Sequence, residues 1–326
     1  MTRIISIFLI SFTLFSCGTD KGETRDKNST EYQQAQNYVN EIVQIMKEHA
    51  ITRDEVDWGN LESEVSAMAA KAYTIKETYA AVTKALELLG TSHSFLTTDS
   101  GQLLANYNRL VCSQTLQMNE PLIENIGYIR VDGYTTSSDS SDQEFATNIQ
   151  KQISEQDSAS LDGWVVDLRN NSGGNMWPMI AGLGPLLGDG VLGHFFDVNE
   201  NIESWSYENG SSYLGENKVV TVEEPYTLLN PLPKIAVLSS RRAVSSGEAT
   251  LIAFKKQYNV KSFGTDSCGL STGNQAFVLS DGSMLYLTTT IMADREQVKY
   301  GNRVLVDQTV DASEVINKAI EWLQNN

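Results

Sequence analysis

The stretch Ile235–Lys256, IAVLSSRRAVSSGEATLIAFKK, is the one around which the rest of the chain is organised. Ile235, Ala236, Val237 and Leu238 form a short apolar run closed by Ser239-Ser240, the pattern of a fully buried strand. Ala249, Leu251, Ile252 and Phe254 then recur at helical spacing and end on Lys255-Lys256, charges that suit a helix C-terminus. The stretch therefore reads as strand, tight turn and helix, with Ser245 and Ser246 where the helix begins. A hydroxyl at that place has two readings. It caps the helix, and Glu248, three residues after Ser245, completes a capping box. Or it is a nucleophile, because a helix N-terminus favours a developing negative charge and its free N–H groups supply half of an oxyanion hole.

The remaining pattern alternates strands with helices. Ile126–Val131 reads as a strand, and Asp139–Ser160 carries a helix with Phe145, Ile149 and Ile153 on one face. Trp164–Leu168 is a second buried strand, followed by the loop Arg169-Asn170-Asn171-Ser172-Gly173-Gly174-Asn175 and a helix with Met179, Ile180, Leu183 and Leu187. Strand, Gly-rich loop and helix aim backbone N–H groups at an anionic atom; the plainer reading is a turn with two glycines. No phosphate-loop pattern is present. Val191–Val222 reads as β-structure rich in aromatics, suited to strands or a lid over a groove. Leu285–Thr290 is a strand entered through the Asp281-Gly282 turn, and Ser313–Leu323 is a closing helix. This predicts an α/β (α+β) core with a mixed β-sheet flanked by helices, over residues 96–326.

Ahead of the core, residues 31–95 read as a small helical subdomain. Tyr38, Ile42, Ile45 and Met46 form one stripe, Leu61, Val65, Met68 and Ala69 another, and Tyr79, Val82, Leu86 and Leu89 a third. Trp58-Gly59-Asn60 breaks the pattern between the first two, and Gly90 ends the third. His93 follows, flanked by small hydroxyl residues; it is either a surface or capping histidine, or one that faces a cleft.

Residues 1–16 read as a signal peptide: Arg3 is a short basic start, and Ile4–Phe15 is an apolar run too short to span a bilayer comfortably. Cys17, after Ser16 and before Gly18, fits the lipidation site of a bacterial lipoprotein; the plainer alternative is an ordinary secretory signal. Residues 17–30 then form a polar tether. These segments place the protein in the cell envelope, held to a lipid bilayer and facing the periplasm or exterior. With 24 basic and 41 acidic residues, a net charge of −17, the chain lacks the basic footprint that nucleic acid requires. Cys112 and Cys268 read as two separate buried thiols, although an oxidising envelope permits their pairing. His49, His93 and His194 lie far apart and have no metal-ligand spacing, so neither metal nor cofactor is called for.

Several motifs, in order, resemble those of the C-terminal-processing (tail-specific) serine peptidases, whose relatives include the tricorn core and the retinoid-binding modules. Val165–Gly174, VVDLRNNSGG, is similar to that family's Asp-Leu-Arg-x-Asn-x-Gly-Gly loop. Ala243–Glu248, AVSSGE, is similar to its nucleophile turn, with the serine three residues before the glutamate, which selects Ser245 over Ser246. Phe263–Asn274 and Tyr300–Asp307 resemble its C-terminal region, and Ser92-His93 resembles the histidine motif of the tricorn-like branch. The resemblance implies a ClpP/crotonase-like fold. It implies hydrolysis of a polypeptide substrate by acyl transfer, with Ser245 as nucleophile, His93 as base and Gly173, Gly174 and Ser246 as oxyanion donors.

The chain also departs from the pattern. The processing branch uses a lysine about 25 residues after the nucleophile; here that count reaches Leu270, which favours the Ser–His arrangement. The acidic residue that orients the histidine in the tricorn-like branch aligns near Tyr300, which leaves Glu296, and after it Asp294, as third member. Only about 30 residues separate His93 from the Ile126 strand, too few for a PDZ module. A different class of function stays open on the same fold: a catalytically silent module that binds a ligand or peptide in the cleft.

Overall fold

The computed structural model describes residues 26–107, 110–112, 116, 124–136 and 138–325. Helix α1 (Thr30–His49) begins inside the predicted tether, because the Ser29 side chain accepts the Tyr32 N–H at 3.2 Å and caps it. Helix α2 spans Trp58–Ala69. The break between the two helices thus precedes Trp58 rather than falling on it: Asp57 accepts the Asn60 N–H at 3.0 Å and starts the helix at Trp58. A short 3-10 turn, Ile75–Thr78, leads into α3 (Tyr79–Leu88).

The chain continues through β1 (Phe95–Thr97), β2 (Leu103–Ala105), β3 (Ile126–Arg130), α4 (Asp139–Gln156), β4 (Gly163–Asp167) and α5 (Met176–Leu187). A run of strands follows: β5 (Gly190–Asp197), β6 (Ile202–Glu208), β7 (Ser211–Leu214) and β8 (Asn217–Thr221). Then come β9 (Ile235–Ser239), α6 (Ser246–Ala253), β10 (Val260–Gly264), β11 (Thr272–Val278), β12 (Met284–Asp294), β13 (Gln308–Thr309) and α7 (Val315–Gln324).

Strand pairing is divided between two sheets. A five-stranded sheet runs β13-β10-β9-β4-β3 with every neighbouring pair parallel. Parallel neighbours need crossover connections, and α4, α5 and α6 supply them. Both faces of this sheet are covered, which is why its strands read as continuous apolar runs. Trp164, Val166, Ile235 and Val237 pack with residues of α4, α5 and α6. Val165, Ala236, Leu238 and Phe263 pack against Val315, Ala319 and Leu323 of α7. Gly127 lets β3 approach β4 closely, since a Cβ there would lie 2.3 Å from the Trp164 ring.

The eight-stranded sheet is antiparallel, in the order β2-β1-β12-β5-β6-β7-β8, with β11 also paired to β12. Mixed pairing is therefore realised as a parallel and an antiparallel sheet, both flanked by helices. Segments joined by short turns, such as β5 to β8, pair antiparallel because a tight turn reverses the chain. The three N-terminal helices share one core with this sheet: Tyr38, Ile42, Met46, Leu61 and Leu86 cluster with Leu96, Leu285 and Leu287.

Cys112 and Cys268 form a disulfide with Cα atoms 5.5 Å apart, which corrects the reading of two separate thiols. Folding brings the loop after β10 beside the segment that carries Cys112, an approach that sequence spacing does not reveal. Among the described residues, no helix is long and apolar enough to cross a membrane. Cys17, the signal peptide and most of the tether lie outside the described residues.

Candidate active site

The turn between β9 and α6 is held from several directions. Ser240 Oγ donates to the Arg169 carbonyl at 2.6 Å, and Val244 N–H donates to the Asn171 carbonyl at 3.1 Å. Cys268 N–H donates to the Ala243 carbonyl at 2.9 Å. At the end of the turn Ser245 sits at φ 54° and ψ −113°, a conformation that a residue with a Cβ rarely adopts. Such a strained strand-to-helix corner lifts a side chain out of the backbone. Ser245 is half-buried and Ser246 is buried. Ser246 Oγ is committed, donating to the Gly174 carbonyl at 2.6 Å. The two adjacent serines thus have different local roles.

Glu248 fastens the corner. Its carboxylate is fully buried and accepts from Ser245 N–H (2.8 Å), Leu270 N–H (2.8 Å), Gly269 N–H (2.8 Å) and Ser267 Oγ (2.5 Å). Burial pushes the carboxyl up to about 6, and these hydrogen bonds oppose that rise.

The glycine loop lies against the corner. Gly173 has φ 84°, and a Cβ there would fall 2.7 Å from the Val244 oxygen and 3.1 Å from Ser245 Cβ. Gly174 has φ 115°, and a Cβ there would overlap the Tyr134 oxygen at 1.9 Å. The N–H of Gly173 is already used: it donates to Asn171 Oδ1 at 3.0 Å, so it is not the free donor the sequence suggested. The N–H groups of Gly174 and Ser246 donate to no described protein atom, and these two suit an oxyanion.

His93 follows α3 through Gly90, which ends the helix at φ 80°. Its ring Nδ1 lies 2.7 Å from Thr272 Oγ1, and its carbonyl accepts Asn274 Nδ2 at 2.9 Å. The side chain is half-buried, and desolvation pushes the imidazole down to about 4. Thr272 stands two residues beyond Leu270, which is bonded to Glu248. The 267–272 segment therefore fastens both the serine corner and the histidine. No hydrogen bond joins Ser245 to His93 directly among the described contacts; catalytic contacts commonly tighten only with substrate bound.

Glu296 is not at His93. It is exposed and pairs with Lys256 at 3.2 Å, at the opposite end of α6 from Ser245. The 8 residues of α6, about 12 Å of helix at ~1.5 Å per residue, lie between them. Asp294 is buried but accepts from Tyr300 Oη (3.0 Å), Glu296 N–H (3.0 Å) and Val298 N–H (3.1 Å). Both carboxylates are thus committed elsewhere, Asp294 to the turn that follows β12 and Glu296 to Lys256. Sequence reasoning passed over Thr272, Asn274 and Ser267, although all three lie inside the Phe263–Asn274 motif; hydroxyl and amide residues in a loop gave no signal of their own.

Crossovers on a parallel sheet, with a serine on a strained corner beside a glycine loop, define an α/β fold with the layout of a serine hydrolase site. The profile of peptidase family S41 matches residues 125–310, over half of the 326, and the chain belongs to that family. It is 27% identical over 290 residues to the nisin-resistance protein of Lactococcus lactis subsp. lactis, covering 89% of this chain and 87% of that protein. A solved lipoprotein from Streptococcus agalactiae is 25% identical with a TM-score of 0.71, covering 89% of this chain and 96% of that one. The photosystem II D1 C-terminal processing protease shares the fold at a TM-score of 0.53 and 16% identity, over 85% and 93% of the two chains.

Proposed function

We propose that the protein is a serine endopeptidase of the bacterial cell envelope, tethered through a lipid on Cys17, that cleaves polypeptides by acyl transfer. The observation that carries this reading is Ser245 at φ 54°, beside the N–H groups of Ser246 and Gly174, which have no partner among the described residues. Ser245 Oγ attacks the peptide carbonyl carbon, and its proton passes to Nε2 of His93. Ser246 N–H and Gly174 N–H hold the oxyanion. The proton then moves to the departing amine, the C–N bond breaks, and water releases the acyl group by the reverse transfers.

Membership of the S41 family supports a polypeptide substrate. Similarity to a protein named for nisin resistance makes nisin the first peptide to try, and similarity to a lipoprotein supports the anchor. The test is mass spectrometry of nisin, and of an unrelated extended peptide, after incubation with residues 26–326 and with its Ser245→Ala variant. Serine-dependent fragments support the reading, and intact peptides under both conditions refute it. Anchoring is tested by Cys17→Ser, which should release the protein from the membrane fraction.

The second reading, a silent binding module, draws on the absence of any carboxylate contact to His93 among the described hydrogen bonds. It predicts saturable peptide binding that is unchanged by Ser245→Ala.

A further inference from the structure

We propose that the third member of the Ser245–His93 arrangement is the hydroxyl of Thr272, a positioning residue that accepts the Nδ1–H of His93 in the place where a carboxylate would otherwise sit. The proposal rests on the peptidase reading above and specifies how its base is held.

Three observations carry it. The Nδ1–Oγ1 separation of 2.7 Å is a full hydrogen bond, and no acid contacts the ring among the described residues. Thr272 is also fixed in space. It opens β11, pairs with Ile291 of β12, and lies two residues beyond the Leu270 N–H held by Glu248, which in turn holds Ser245. One short segment thus sets the base relative to the nucleophile. Finally, the surroundings of His93 are built of neutral groups. Asn274 Nδ2 donates to the His93 carbonyl, and Thr288 Oγ1 donates to Asn274 Oδ1 at 2.9 Å. Ser94 Oγ donates to Thr288 Oγ1 and accepts Thr288 N–H, both at 3.0 Å, while Thr91 donates to Ser94 at 2.6 Å.

The chemistry follows from the tautomer. With its proton on Nδ1 and directed to Thr272, the ring presents the Nε2 lone pair, the only form able to take the Ser245 proton. In the other tautomer Nε2 carries the hydrogen and the ring cannot act as base. A carboxylate can only accept and so fixes this choice outright; a hydroxyl both donates and accepts, so Thr272 holds the Nδ1–H tautomer by accepting, with its own hydrogen turned away from the ring, and it adds no negative charge to stabilise the imidazolium.

The experiment compares wild type, Thr272→Val, Thr272→Ser, Glu296→Gln, Ser245→Ala and His93→Ala by peptide hydrolysis. In parallel, 15N NMR of the imidazoles is recorded at pH 7, where the chain offers 3 histidines. Thr272→Val should lower kcat about tenfold with KM nearly unchanged, the scale of one lost hydrogen bond, and Thr272→Ser should restore most of it. NMR should show His93 as the Nδ1–H tautomer in wild type and in Thr272→Ser, and a mixture in Thr272→Val. An Nε2–H tautomer in wild type overturns the proposal. So does wild-type kcat in Thr272→Val, or a loss in Glu296→Gln without one in Thr272→Val. If wild type hydrolyses nothing and matches Ser245→Ala, the peptidase reading fails instead, and the tautomer measurement alone still decides whether Thr272 holds the ring.

Discussion

Glu248 reaches back across the first turn of α6 to hold the backbone N–H of Ser245 at 2.8 Å. The same carboxylate binds Ser267, Gly269 and Leu270, so the serine corner and the loop leading to Thr272 share one anchor. Glu248→Gln replaces an acceptor oxygen by an NH2 facing N–H donors. It should destabilise the fold by about 1.5–3 kcal/mol, the worth of a charged hydrogen bond. It should also slow labelling of Ser245 more than it lowers Tm would suggest, because the corner loses its register. Thermal melts and labelling rates on one preparation check this.

Two buried groups give opposite pH dependences. His93 titrates at about 4 folded against 6.5 unfolded, so its contribution to stability is present above 6.5 and is lost as pH falls towards 4. Glu248 titrates at about 6 folded against 4.5 unfolded, so its contribution is present below 4.5 and is lost as pH rises through 6. His93→Gln should therefore lose less stability than wild type on going from pH 7 to pH 4.5, and denaturant unfolding at the two pH values measures the difference.

Gly174→Ala should abolish activity and destabilise the fold. Its Cβ would meet the Tyr134 oxygen at 1.9 Å while the backbone stays at φ 115°. Gly127→Ala drives a methyl into Trp164 on the same sheet, remote from the chemistry. It should cost about 1–3 kcal/mol through overpacking and leave kcat of the folded fraction intact. Active-site titration of the folded fraction separates the two.

The disulfide spans 156 residues of sequence. Losing a disulfide that closes so long a loop costs about 2–5 kcal/mol. Reduction, or Cys112→Ala, should lower Tm measurably. A thiol assay on denatured, unreduced residues 26–326 should detect no free cysteine.

Much of this was legible from pattern alone. Ile235–Leu238 and Trp164–Leu168 announced buried strands because both faces of their sheet are covered; that the sheet is wholly parallel came from the structure. Ser245, Glu248 and the Gly173-Gly174 loop carry local signatures, a capping box and a glycine pair, that survive without tertiary information. What was not legible depends on contacts distant in sequence. Thr272 meets His93 from 179 residues away, and Cys268 meets Cys112 across a similar interval. Glu296 attracted attention through nearness in sequence, yet β12 carries it to the far end of α6. Gly173 has the right residue type for an oxyanion donor, but Asn171, two residues earlier, occupies its N–H.

The central claim, that Ser245 is an activated nucleophile served by His93, is tested most directly by a fluorophosphonate probe on residues 26–326. Wild type and Ser246→Ala should label covalently. Ser245→Ala should not label at all, and His93→Ala should label at least 100-fold more slowly, the order expected for loss of a general base. Folded wild type that takes up no probe, or Ser245→Ala that labels as wild type does, would contradict the account.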